Sequence, residues 1–198
     1  MGRVSQAQAQ ENRQRVVATA SRMFREKGTV VSVADLMKAA GLTHGGFYKQ
    51  FASKEDLVDE AIVHAFEEPA AHSPVAIEEH SGDHEAARRT LIEHYLSVWH
   101  RDHAGEGCPV SGFASDLGRE PDQAARAQDI YVNGVRNRAA RLATGDDDGM
   151  AQLCTMVGAL VLARATRGNP ISEELLQAAR TALTENGTGQ CEPQQRTD

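Results

Sequence analysis

Seven of the eight histidines lie between His64 and His103, and two pairs among them, His80 with His84 and His100 with His103, have the spacing that sets two side chains on one helix face. Zinc binds such pairs when further ligands complete the shell. His80 and His84 straddle an expected helix start, and no pair of cysteines stands nearby, so no metal and no cofactor is expected. Cys108, in "GEGCPVSGF", is close in sequence to His100 and His103 and offers the parts of a nucleophile and a base. Thiol catalysis also needs a group that orients the base, and the sequence supplies none. Neither a phosphate-binding glycine loop nor an H-E-x-x-H pair is present. No catalytic residue is therefore expected, and a thiol-dependent enzyme stands as the competing class. The third cluster is "GLTHGGFYKQF", residues 41 to 51, where a histidine, a tyrosine and a lysine surround adjacent Gly45 and Gly46. Each glycine inside a helix costs roughly 1 kcal/mol relative to alanine, so another requirement must retain the pair.

The charge distribution suggests what that requirement is. The 198-residue chain has a net charge of -7, yet residues 1 to 55 hold nine Lys and Arg against four acids, Glu11, Glu26, Asp35 and Glu55. The remainder is strongly anionic. A cationic N-terminal module on an acidic body suits a nucleic-acid binder that meets phosphate at one end; exposed basic helix faces with no partner would give the same count. No signal peptide is apparent, and the apolar run from Leu153 to Ala163 is too short to cross a bilayer. The protein is expected in the cytoplasm, with Cys108, Cys154 and Cys191 as thiols.

The elements that position these residues follow from periodicity and end signals. Val16, Val17, Ala20, Met23 and Phe24 recur at helical spacing, which predicts an amphipathic helix from about Glu11 to Lys27. Ser32 opens the capping box S-V-A-D of a helix reaching Ala40, and Gly41 turns the chain. Thr43 is positioned to cap a very short helix through Tyr48. Ser53 opens "SKED", and the helix after it places Leu57, Ala61, Ile62, Ala65 and Phe66 on one face. Two short helices about a glycine turn, braced by longer ones, form a helix-turn-helix. The N-terminal residues of its second helix face the major groove, where absent side chains permit close backbone approach. An irregular loop over residues 43 to 47 would accommodate the glycines equally.

Residues 11 to 66 resemble the DNA-binding domain of the TetR family of bacterial regulators. The resemblance rests on "ATASRMFREKG" and "VSVADLMKAAGLTHGGFYKQFASKEDLVDEAI", within which Ala40 to Thr43, Phe47-Tyr48, Phe51 and Ser53 to Leu57 fall at the family's spacing. It implies an all-α fold: a three-helix helix-turn-helix domain over 1–53 and a helical ligand-binding and dimerisation domain over 54–186, about nine helices in all, then a disordered tail over 187–198. It also implies that double-stranded DNA is contacted by Ser32, Thr43, His44, Gly45, Gly46, Phe47, Tyr48, Lys49 and Lys54. Thr43 and Tyr48 match phosphate-binding positions, and His44, Gly45 and Lys49 lie on the recognition helix. Phe47 and Phe51 also suit the core, since an apolar ring offers DNA little beyond a thymine methyl contact. Two departures stand out. Met37 replaces a frequent small alanine, which alters how the two short helices pack, and Gly46 replaces a frequent Thr, Ser or Ala often used on DNA.

Beyond residue 66 the resemblance is architectural. "EEPAAHSPVAIEEHSGDHE" reads as a helix end and a connection; one helix is expected over about 85–100 and a short one near Gly112 to Leu117. Pro121 suits the first turn of the next helix, which stops at Gly145. Asp146, Asp147 and Asp148 favour the N-terminus of another, and Ser172 is expected to cap the last. Phe66, Tyr95, Trp99, Cys108, Phe113 and Tyr131 are candidates to line a ligand pocket, each also suited to plain core. Leu153, Met156, Val157, Leu160, Val161, Leu175, Leu176, Ala179 and Leu183 form apolar faces on the last two helices, which the family pairs across a two-fold dimer; the same faces suit a protomer core. The resemblance thus implies a homodimeric repressor that binds a palindromic operator and is released by a small molecule. An alternative is electrophile or oxidant sensing through Cys108, which needs thiol access and a nearby imidazolium or helix N-terminus.

Overall fold

The computed structural model describes residues 6–68, 83–119, 125–145 and 147–185. Within these the chain forms α-helices α1 (Gln6–Lys27), α2 (Val33–Ala39), α3 (Lys54–Glu67), α4 (His84–Tyr95), α5 (Val98–Asp102), α6 (Pro109–Arg119), α7 (Ala125–Ala140), α8 (Met150–Ala165) and α9 (Ile171–Glu185). Two 3₁₀ helices, η1 (His44–Lys49) and η2 (Ala104–Glu106), complete the order, and no strand is present among the described residues. The tail and the Pro121 helix start lie outside them.

Local signals explain most of the boundaries. Ser32 and Ser53 each accept a hydrogen bond from the backbone N–H three residues on, Asp35 and Asp56. Helix α2 ends in paired bonds from Gly41 N to Lys38 O and from Leu42 N to Met37 O, with Gly41 at φ +72°, the left-handed conformation that glycine adopts without steric cost.

Other boundaries depart from expectation. Helix α1 begins at Gln6, earlier than Glu11. Thr43 makes no side-chain cap, and the segment after it winds as 3₁₀ turns, closed by bonds such as Gly46 N to Thr43 O. Six residues with two glycines gain too little from α-helical bonding to hold the wider turn. The single helix expected over 85–100 is two: Leu96 leaves helical geometry, and Ser97 caps α5 by accepting from His100 N. Helix α6 starts at Pro109, which needs no N–H partner at a first helical position. Ser172 does not cap α9. Asn169 accepts from Ile171 N, while the buried Ser172 hydroxyl donates to Ala163 O and accepts from Arg101, tying α5, α8 and α9 together.

Two apolar clusters form the core. The first joins Val16, Ala20 and Phe24 of α1 with Leu36, Met37, Phe47, Phe51, Leu57, Ala61 and Ile62, and reaches Phe113 and Leu117 of α6. The second packs Ile92, Tyr95, Leu96, Leu142, Leu153, Met156, Leu160, Ala163 and Leu176. Phe66 and Tyr131 meet edge to face at 6.1 Å and touch both. Helix α3 therefore shares its core with α1.

Candidate functional site

The segment from Thr43 to Lys49 sits over the first core with its polar residues outward. Phe47 is fully buried, its ring stacked on Phe51 at 5.3 Å and set edge to face against Tyr48 at 5.1 Å. It cannot contact DNA; it anchors the segment instead, because an aromatic ring gains far more from burial than from a groove contact. Tyr48 is 67 % exposed, and Thr43, His44, Gly45 and Lys49 are exposed beside it. Ser32 is exposed at the start of α2, its hydroxyl 2.6 Å from Asp35 Oδ2, and Lys54 is half-buried at the first position of α3.

Neither Gly45 nor Gly46 has positive φ, so backbone conformation does not require either. A β-carbon at Gly45 would meet nothing within 4 Å, which leaves its backbone open to approach from outside. A β-carbon at Gly46 would lie 3.6 Å from Met37 Cε. The two departures from the family pattern are thus neighbours: a long buried side chain at 37 occupies space beside a residue with none.

A clamp from α1 fixes this segment and was not evident in the sequence. The Arg13 guanidinium lies over the Phe51 ring at 4.7 Å, donates to Gln50 O at 3.4 Å and pairs with Glu60 of α3. Their separations, 37 and 47 residues, leave no local pattern to find.

The opposite face of α1 borders a cleft of about 450 Å³. Its walls include Tyr95 and Trp99, Cys108 at the start of α6, and Arg15, Arg22, Arg25, Arg138, His94 and His100. Of the six aromatic and thiol candidates only Tyr95, Trp99 and Cys108 line it. Phe113 is fully buried in the first core, and Phe66 and Tyr131 pack at the seam between cores, where the Tyr131 hydroxyl donates to Val110 O. Arg25 is committed to structure: it donates to Ser21 O and Gly107 O and pairs with Glu68 at 3.1 Å. Burial lowers its pKa, and Glu68 opposes that shift.

The connection between α5 and α6 is fastened by His100. Its Nε2 accepts from Cys108 N at 2.9 Å, so the ring proton is on Nδ1, which donates to Tyr95 O at 2.7 Å. A β-carbon at Gly107 would come within 2.7 Å of His100 Nε2 and 2.9 Å of Arg164, so this approach demands glycine. Burial, backed by the charges of Arg164 and its neighbours, pushes the His100 pKa down to about 4. The ring is neutral near pH 7. Cys108 is itself buried, so neither the access nor the imidazolium expected of a sensing thiol is present. His103 points elsewhere, stacked on Trp99 at 4.5 Å, so the 100/103 pair does not converge. His80 lies outside the described residues, among which no three metal-ligating side chains gather.

A stability consequence follows from His100. The unfolded imidazole takes up a proton near pH 6.5 and the folded one only near 4, so the folded state loses stability as pH falls through that window, by up to about 3 kcal/mol. Thermal melting of wild type and His100→Gln between pH 7 and 4 should show a smaller pH-dependent loss in the variant.

The helix-turn-helix geometry of α2, η1 and their braces coincides with a match of residues 16–61 to the family model of bacterial regulatory proteins, tetR family. Residues 16–61 are thus similar to the DNA-binding segment of the TetR family. Over 61 residues the chain is 39% identical to the HTH-type transcriptional regulator AcrR of Shigella flexneri, a stretch covering 30% of this chain and 28% of that protein. The match spans less than a third of that relative. Solved structures extend the fold likeness over nearly the whole chain. A TetR transcriptional regulator from Chloroflexus aurantiacus superposes with a TM-score of 0.71 at 22% identity, covering 93% of this chain and 98% of that one. Reduced NemR from E. coli gives 0.67 at 17%, covering 88% and 96%. AibR, solved with isovaleryl coenzyme A and operator DNA, gives 0.53 at 15%, covering 87% and 98%. No helix among the described residues is long and apolar enough to cross a membrane.

The faces expected to pair two protomers are largely internal. Leu153, Met156, Leu160, Leu176 and Ala179 are buried within one protomer, and Val157, Leu175 and Leu183 are half-buried. Among those residues Val161 is exposed, at 45 %, next to Leu162 at 54 %. On α8 the outward stripe is instead Cys154, Thr155, Gly158, Val161, Leu162 and Ala165, one helical step away from the inward row.

Proposed function

We propose that the protein is a cytoplasmic homodimeric repressor that holds a palindromic operator through residues 1–53 and releases it when a small molecule enters the cleft of the domain spanning 54–186. The observation that carries the DNA reading is the outward row of Thr43, His44, Tyr48 and Lys49, with open backbone at Gly45, fixed from behind by Phe47, Phe51 and Arg13. In this reading Thr43, Tyr48, Ser32 and Lys54 hold phosphates, whereas His44, Gly45, Gly46 and Lys49 approach base edges. The outward stripe of α8, small and apolar, supports pairing with a second copy, and the AibR complex is a precedent for one fold holding both operator and effector. Release requires an effector that prefers the protomer arrangement unable to span two half-sites, since equal affinity for both shifts nothing.

Fluorescence anisotropy with a labelled palindromic duplex from the protein's own promoter region tests this. Affinity is expected to fall steeply with salt as counterions are released. Tyr48→Phe and Lys54→Ala should weaken binding on every sequence, each by about tenfold. Lys49→Ala or His44→Ala should change site preference. Equal affinity for random duplex would sink the proposal.

A further inference from the structure

We propose that the cleft beneath α1 takes an organic anion, a molecule with an apolar body and a carboxylate or phosphate head, held by Arg22 of α1 and Arg138 of α7. The inference rests on the cleft being the effector site of the regulator proposed above and specifies the chemistry of that effector.

Charge is the first support. The chain is acidic overall, at -7, yet this cleft presents four arginines against two glutamates, Glu68 and Glu106. Arg25 is neutralised by Glu68 and fixed by Gly107 O, and Arg15 reaches Glu11 of its own helix at 3.4 Å. Arg22 and Arg138 have no hydrogen bond or ion pair among the described residues. Two guanidinium groups that share a cleft and have no acid paired to either raise the free energy of the folded chain, and a bound anion lowers that cost. The crowding is felt nearby, since the Arg138 charge disfavours protonation of both Arg25 and His100.

The second support is independent of charge. Tyr95, on the cleft wall, is only 6 % exposed, and its hydroxyl is buried without a hydrogen-bond partner. A phenol left this way, beside Cys108 and Ser111, costs free energy that an acceptor on a ligand relieves once the side chain turns toward the cleft. Tyr95 and Trp99 also give the cleft apolar wall, and 450 Å³ is within the range of sites for small organic molecules rather than for a bare ion. Because Arg22 belongs to the helix whose other face packs on Phe47 and Phe51, an anion shared by Arg22 and Arg138 links that helix directly to the C-terminal body.

Trp99 is the single tryptophan of the chain and lines the cleft, so intrinsic fluorescence reports on the site without a label. We would titrate the full-length protein, without DNA, with octanoate, octyl phosphate and octanamide, which share a tail and differ in head group. At least one anion is expected to bind roughly tenfold more tightly than the amide, and which one does so separates a carboxylate from a phosphate effector. Arg22→Gln and Arg138→Gln, which retain much of the side-chain stem, should each remove most of that preference while melting near wild type. Equal binding of octanamide, no fluorescence change with any probe, or an unchanged preference in both variants overturns the proposal; the wild-type comparison decides even if a variant fails to fold. Operator binding is measured separately, so loss of the regulatory reading and loss of anion preference are distinguishable.

Discussion

Phe47→Ala is expected to destabilise the protein by about 3–5 kcal/mol and to abolish operator binding, although the ring never reaches DNA. Phe47 is fully buried and stacked on Phe51, which in turn lies under the Arg13 guanidinium. Truncation opens a cavity at the centre of that stack, and the cost combines lost transfer free energy with the void left behind. The 3₁₀ segment carrying His44, Tyr48 and Lys49 has few bonds of its own, so it should lose its shape first. Denaturant unfolding and anisotropy on the same samples separate the effects. Phe47→Leu should recover much of the stability and the binding, whereas Tyr48→Phe should leave stability intact and weaken only binding. A Phe47→Ala protein that melts like wild type but fails on DNA would mean that the ring acts at the interface after all.

The second large effect concerns α8. Leu160→Glu is expected to unfold the protomer, because Leu160 is fully buried in the second core and an unpaired carboxylate there costs several kcal/mol. Leu162→Glu, two residues on, faces outward and should leave circular dichroism and melting of the protomer intact while dissociating the proposed dimer in sedimentation. If Leu160→Glu gave a folded monomer, the inward row would be the contact surface. Association unchanged in Leu162→Glu would move the dimer interface off α8.

The two departures from the family pattern, taken one at a time in sequence, read as a packing change at Met37 and a lost contact at Gly46. In the fold they adjoin, and Gly46 leaves room beside the Met37 side chain. That relation depends on how α2 and η1 cross, which no run of sequence encodes.

The amino-acid sequence alone determined the features governed by short-range rules. Helical periodicity placed α1 and α3, the serine caps at 32 and 53 marked where α2 and α3 begin, and Gly41 marked the turn, because each depends on bonds spanning only a few residues. The resemblance to the TetR family rests on the same local spacing. Only the tertiary structure decided which way a face turns and what it meets. Phe47 and Tyr48 are adjacent, yet one is core and the other is exposed. Leu160 and Val161 divide in the same way, since a wide apolar stripe fixes a helix's amphipathic character and leaves its rotation to its neighbours. The cleft was least legible. Arg22 and Arg138 are far apart along the chain, and in sequence each looks like an ordinary solvated arginine; packing of α1 against the C-terminal helices brings them to one cavity, where arginines outnumber acids.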